Sequence, residues 1–438
     1  MDSNTNIEAN TDNGIPIDNN VQNTVGDLSI EEKVYGLSII WKEAEYNFVF
    51  WNNLKNLNWD NAYREALPRV LNTKDIREYY LELMRFISLL RDGHTDVWFP
   101  DYIYKAYGTL PLRVVYREGK YIIFNTDANF KNELFSEILK INGLPAQQYI
   151  EENIFPYIWH EKIDSAYGRI FEFIPIIEKG EAIKIETKNN TFLIKPTQEE
   201  IHWIRNTKWA HNEDLTQIYI SDALEVSVTS DDIAVITIPT FMDNSLQTQF
   251  YKILPQIYEC KGFIIDVRWN GGGNSGNADA VAQAFINGTF AKSRAKMPVH
   301  NGAYKAWGKQ YRSLEDETYT TRIPQCPLFI DSPLVILANE FTGSAAEDFL
   351  VVLDNINRAT IVGTASYGST GNPLHVDLPG GGGFRICTRW CLYPNGKEFI
   401  NVGVVPHVYA NLSINDMENG FDSVFEKGMS VLREQIKK

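Results

Sequence analysis

Cysteine is scarce in this 438-residue chain. The four present, Cys260, Cys326, Cys387 and Cys391, are too few and too irregularly spaced for a disulfide framework or a zinc knuckle. Basic charge is short as well: 41 Lys and Arg against 56 Asp and Glu leave a net charge of −15. No basic run interrupts that balance, which argues against nucleic acid as a partner. No apolar stretch approaches the roughly 20 residues that cross a bilayer, so no integral membrane segment is expected. His160-Glu161 has Asp164 where an HExxH motif needs histidine, and His300, His375 and His407 lack ligand spacing. Neither a metal nor a cofactor is expected. Residues 1–27 hold few apolar side chains among Asn, Asp, Thr and Ser and read as a disordered lead. They contain no signal-peptide pattern; with such a peptide removed beforehand, a periplasmic or exported setting is favoured over a cytoplasmic one.

What is present is a chain 44% hydrophobic and 13% aromatic, rich enough for well-buried cores and long enough for two or three domains. Ser29 with Glu32 reads as a capping box, followed by Val34, Leu37, Trp41, Ala44, Phe48 and Trp51 on one helical face. A second helix runs from Thr73, with Ile76, Tyr80, Leu83, Ile87 and Leu90 on one face, and stops at Gly93. His94 follows that stop. It is either a structural histidine or a base whose imidazolium the negative end of the helix favours. From Pro111 the pattern turns to strands, with a β-rich module and one or two helices over about 104–200. Tyr107-Gly108-Thr109-Leu110 is its weak candidate for a carboxylate-binding loop. The remainder alternates strands and helices, the mark of an α/β fold. Gly262 to Arg268 is a near-continuous apolar run of the kind buried in a parallel sheet. Gly380-Gly381-Gly382-Gly383 reads as a mobile hairpin turn near the cleft.

Two stretches carry chemistry. In Ala338 to Leu350, ANEFTGSAAEDFL, an apolar strand hands over to a helix at Gly343-Ser344. Unpaired N–H groups at such a helix start can hold a negative oxygen beside a serine nucleophile. Ser344 and Glu347 also fit the Ser-x-x-Glu capping box, in which the serine only ties down the helix. In the second stretch, Gly271, Gly273 and Gly276 match a dinucleotide fingerprint. No acidic strand end follows about 20 residues later, however. The other reading is a glycine loop whose bare amides approach a substrate carbonyl.

Ile264-Ile265-Asp266-Val267-Arg268-Trp269-Asn270-Gly271-Gly272-Gly273, Phe341-Thr342-Gly343-Ser344-Ala345-Ala346-Glu347, Val362 to Gly368 and Gly403-Val404-Val405-Pro406-His407 occur in the order found in S41 serine peptidases. The chain resembles that family over about 215–438. Asp92-Gly93-His94-Thr95 extends the likeness, and Ile138 to Ile150 looks like the later part of a PDZ domain. The implied architecture is multidomain α/β, or α+β overall. It comprises the lead at 1–27, an N-terminal helical domain at 28–103, a PDZ-like module at 104–200 and a ClpP/crotonase-like catalytic domain at 201–438.

The resemblance implies a serine endopeptidase acting on extended peptide or unfolded protein through Ser344. Processing proteases of the family use a lysine base, but Ser369 stands at that position, so the tricorn-like arrangement with His94 as base is the better match. The family's orienting glutamate aligns with Ile400 here, which leaves Glu398, two residues earlier, Asp92 and Asp96 as candidates for that role. Backbone N–H groups of Gly272 and Ala345 are the implied oxyanion donors, and Gly271, Gly273, Tyr367 and Thr370 the substrate-binding residues. The alternative is a non-catalytic S41-like protein that binds ligand or peptide. The oligomeric state is open.

Overall fold

The structure, a computed structural model, describes residues 28–158, 163–204, 211–317 and 321–438. The expected lead at 1–27 and the His160-Glu161 pair lie outside these residues. The first helix, Ile30–Asn47, begins at the complete Ser29/Glu32 capping box. A helix absent from the sequence reading follows at Trp59–Leu71; its buried Trp59, Ala62, Ala66 and Val70 recur at helical spacing, but Pro68 and a polar outer face disguise it. The next helix is shorter than expected. Asp75 caps Ile76–Ile87, a 3₁₀ turn takes Ser88–Leu90, and Arg91 at φ 55° ends the run two residues before Gly93.

These helices sit over the glycine run. Gly380 to Gly383 turns the hairpin between the strands Leu374–Asp377 and Gly383–Ile386, but it is clamped rather than placed loosely at a cleft. Tyr80 donates its hydroxyl to the Pro379 carbonyl at 2.9 Å and accepts the Gly382 N–H at 2.8 Å. A Cβ on Gly382 would lie 2.4 Å from the Trp98 carbonyl and 2.6 Å from the Tyr80 ring, so only glycine allows this approach. The strand Asp96–Trp98 then pairs antiparallel with Gly383–Ile386, which carries the segment after His94 onto the C-terminal region.

The C-terminal region is built on a seven-stranded sheet. Its order is Val408–Tyr409, Thr360–Gly363, Leu334–Ala338, Gly262–Asp266, Ile233–Thr237, Glu225–Thr229 and Leu215–Ile220. The first five strands are parallel and the last two antiparallel. Alternation along each parallel strand sends side chains to two cores. Ile264, Val335, Leu337 and Val362 pack under Phe425, Met429 and Leu432 of the helix Ser423–Ile436. Phe263, Ile265, Ile336 and Ile361 face the main core on the other side. Covering both faces explains why these strands read as nearly unbroken apolar runs.

The middle region holds the hairpin Leu112–Arg117/Lys120–Thr126 and a four-stranded sheet in the order Leu144–Pro145, Ile138–Ile141, Ile183–Thr187, Thr191–Ile194. The helices Ala146–Asn153 and Ile163–Ile177 accompany them. The Tyr107–Leu110 loop does not offer its amides to a carboxylate: Gly108 N–H bonds Tyr104, and Thr109 exchanges backbone bonds of 2.8 and 2.9 Å with Thr197. Among the described residues, no helix is long and apolar enough to cross a membrane.

Candidate active site

Ser344 lies where the strand Leu334–Ala338 gives way, through a turn, to the helix Ala345–Asn355. Its backbone sits at φ 54° and ψ −123°, and its side chain makes no capping hydrogen bond. The capping-box reading therefore fails. Glu347 does not reach back to the serine; its carboxylate accepts from Ser366 Oγ at 2.5 Å, Gly368 N–H at 2.7 Å and Ser369 N–H at 3.0 Å. A non-glycine residue in so sparsely populated a conformation costs about 1–3 kcal/mol, a cost found where geometry serves function.

The glycine loop packs directly on this turn. A Cβ at Gly272, whose φ is +106°, would lie 2.6 Å from Ser344 Cβ and 2.9 Å from Ala345 N. Gly272 is buried, whereas Gly271 and Gly273 are exposed. The expected oxyanion donors divide here. Gly272 N–H already donates to Asn270 Oδ1 at 2.9 Å, because Asn270 closes a turn over the loop while its amide holds the Ile238 carbonyl at 3.0 Å. Gly272 is thus a contact residue for the serine, not an open donor. Ala345 N–H, at the helix start, has no backbone or side-chain acceptor among the described residues.

His94 is buried and reaches the same place by a different route. Arg385 anchors its segment, pairing with Asp96 at 2.9 and 3.0 Å and donating to the Gly93 carbonyl at 3.2 Å. Thr95 donates to Asp92 at 2.5 Å and accepts the Cys387 N–H at 2.9 Å. His94 Nδ1 lies 2.6 Å from Ser369 Oγ, and the Ser369 carbonyl accepts the Ser344 N–H at 3.1 Å. The two proposed reactants are therefore neighbours of one residue, although no hydrogen bond joins them directly. Glu398, the candidate acid, is exposed just after a turn and makes no hydrogen bond to His94. Tyr367 is half-buried, with its Cβ close behind Gly343, and donates its N–H to Thr342 at 2.8 Å. Thr370 is buried. Sequence reasoning passed over Ser369 as a histidine partner, noting it only as the residue at the lysine position.

A buried ion pair ties the middle region to the same turn. Arg117, at the end of the hairpin strand, pairs with Glu340 in the loop before Ser344, and Thr364 donates to the second Glu340 oxygen at 2.9 Å. Behind the helix start, Asp348 accepts from Ser275 Oγ at 2.8 Å, and burial holds its carboxyl above the usual carboxylate range. Among the described residues, no group of three or more His, Cys, Asp or Glu side chains is placed to hold a metal ion.

The turn thus gathers a strained serine, a glycine loop packed against it and a buried histidine that meets the same Ser369. Residues 232–410 match the model of peptidase family S41. A carboxy-terminal-processing protease of Bartonella bacilliformis is 28% identical over 178 residues, 40% of this chain and 37% of that protein. The carboxy-terminal processing protease CtpA of Bacillus subtilis is 26% identical over 152 residues, 35% of this chain and 29% of that protein. The chain thus matches about a third of the length of these curated relatives. Mature CPAF, solved in complex with lactacystin, shares the fold with a TM-score of 0.72 at 16% identity, over 93% of this chain and 99% of that one. The likeness is thus to serine-type peptidases, in sequence over residues 232–410 and in fold over most of the chain.

Proposed function

We propose that the chain hydrolyses peptide bonds of extended or unfolded polypeptides through an acyl-enzyme on Ser344, with His94 as general base. The observation that carries this reading is the Ser344 backbone, held at φ 54° and ψ −123° with its hydroxyl uncapped. In the reaction, Ser344 Oγ attacks the carbonyl as His94 takes its proton. His94 then returns the proton to the leaving amine, and water cleaves the acyl-enzyme. Ala345 N–H supports the oxyanion at the helix start. His94 and Ser344 close to hydrogen-bond reach with substrate in place, since such contacts are often loose in free enzymes.

In this reading, residues 104–200 form a PDZ-like module that takes substrate along a strand edge, and residues 28–103 serve as the domain that delivers the base. Glu398 has no supporting contact as the orienting acid. A second reading, a non-catalytic peptide- or ligand-binding protein, draws on the occupied Gly272 amide and the missing direct bond between His94 and Ser344. The test is hydrolysis of an unfolded protein and a peptide library by wild type, Ser344→Ala and His94→Ala, with lactacystin, the CPAF ligand, as a first active-site compound. Loss of turnover in both variants supports the peptidase. Equal turnover in wild type and Ser344→Ala would sink it, and peptide binding without turnover or serine labelling would favour the second reading.

A further inference from the structure

An imidazole that accepts a proton becomes a cation inside the fold, and a catalytic histidine is commonly oriented by an acid on its other nitrogen. Glu398 does not fill that place here. What lies against His94 Nδ1 is the hydroxyl of Ser369, 2.6 Å away and only 1% exposed. Ser369 is itself fixed from two sides: its carbonyl holds the Ser344 N–H at 3.1 Å, and its N–H donates to Glu347 at 3.0 Å. Glu347 is fully buried and is held further by Ser366 Oγ and Gly368 N–H; Ser366 Oγ in turn accepts the Val404 N–H at 2.7 Å.

We infer that Ser369 is the positioning residue for His94, its own backbone fixed by the buried Glu347 carboxylate. The inference rests on the reading of Ser344 and His94 as nucleophile and base. With Nδ1–H donating to Ser369 Oγ, the neutral ring carries its lone pair on Nε2, the form that accepts a proton from Ser344. As the Ser344 Oγ–C bond forms, the carbonyl π pair moves to oxygen and the hydroxyl proton goes to Nε2. As the C–N bond breaks, that proton passes to the departing nitrogen. Throughout, Ser369 keeps the ring plane fixed, and the same backbone segment that holds Ser369 holds the N–H of the nucleophile. One short segment, Ser366 to Ser369, thereby sets both partners relative to each other.

The test compares kcat, KM and the pH profile of wild type, Ser369→Ala and Ser369→Thr, with Ser344→Ala and His94→Ala as references. Ser369→Ala is expected to lower kcat about 10- to 100-fold with KM little changed, less than the roughly 10²- to 10⁴-fold that the base itself contributes, as fits a residue that only positions it. The acidic limb of its kcat/KM profile, which reports the base, is expected to move to lower pH because the imidazolium loses a partner. Ser369→Thr keeps the hydroxyl and recovers most of the rate. Wild-type kcat and an unmoved limb in Ser369→Ala, with both references inactive, would overturn this inference alone. Activity surviving in His94→Ala would overturn the reading beneath it. For a variant that does not fold, histidine-selective ¹⁵N NMR of the intact protein reads the tautomer directly: an Nδ1–H tautomer of His94 at neutral pH supports the inference, and an Nε2–H tautomer overturns it.

Discussion

Replacing Ser344 with glycine is expected to abolish hydrolysis and, at the same time, to stabilise the protein. The serine backbone lies at φ 54°, ψ −123°, where a Cβ costs about 1–3 kcal/mol. Glycine has no Cβ and is relieved of that strain, but it returns roughly 0.4–1 kcal/mol through the greater freedom of the unfolded chain. The hydroxyl makes no capping bond, so nothing further is lost on removing it, and glycine is itself tolerated at a helix N-cap. The balance is about 1 kcal/mol in favour of Ser344→Gly. Ser344→Ala is the control, because alanine keeps the Cβ and hence the strain while removing the nucleophile. A difference of about 1 kcal/mol moves Tm by ~2–4 °C in a domain of this size. Calorimetry of the two variants at pH 7, beside a peptide hydrolysis assay, measures it. Both are expected to be inactive, with Ser344→Gly melting ~2–4 °C above Ser344→Ala. If glycine melts at or below alanine, the serine is not strained and the backbone argument for a nucleophile collapses.

The glycine loop offers a comparison between adjacent residues. Gly272→Ala places a Cβ 2.6 Å from Ser344 Cβ and must push the serine by ~1 Å to reach ordinary carbon contact, which is expected to cost about 100-fold in kcat. Gly271→Ala meets nothing within 4 Å and is expected to leave stability unchanged; equal stability and kcat for the two variants would refute the packing account. Arg117→Met leaves Glu340 buried without its cation and is expected to destabilise by ~3–5 kcal/mol. Adding Glu340→Gln is expected to recover much of that in denaturant titration, and a double variant no better than the single would count against the pair. Asp348 binds its proton more tightly folded than unfolded, so its ionisation opposes folding as pH rises through and above the carboxylate range. Asp348→Asn is therefore expected to raise Tm at pH 8 and to lose that advantage as pH falls to about 4, a trend that paired melting curves would show or deny.

Much of the site was legible locally. The Ser29/Glu32 box, the parallel-strand run ending at Asp266 and the strand-to-helix handover at Ser344 each depend on residues within a few positions of one another. Even the loss of Gly272 as a donor has a local cause, since Asn270 lies two residues before it and Asn readily bonds a backbone N–H two residues on. The Trp59–Leu71 helix is hard to read locally because its apolar stripe is narrow and Pro68 falls inside it.

The two-faced apolar strands and the strand-to-helix turn at Ser344 follow from periodicity and turn chemistry, so the sequence by itself marked the candidate nucleophile and the α/β class, but not the order of the strands. The partners of the base were decided only by tertiary structure. His94 meets Ser369 because Asp96–Trp98 pairs with Gly383–Ile386 and Tyr80 clamps the glycine turn beside it. Those pairings join segments nearly 300 positions apart in the chain, and a short-range pattern holds no information about which distant strand edge a segment will find. For the same reason Glu347 could be read as a helix cap until the fold turned it toward Ser366, Gly368 and Ser369. A carboxylate bonds whichever donors the packed chain brings within reach, and that choice is made in space.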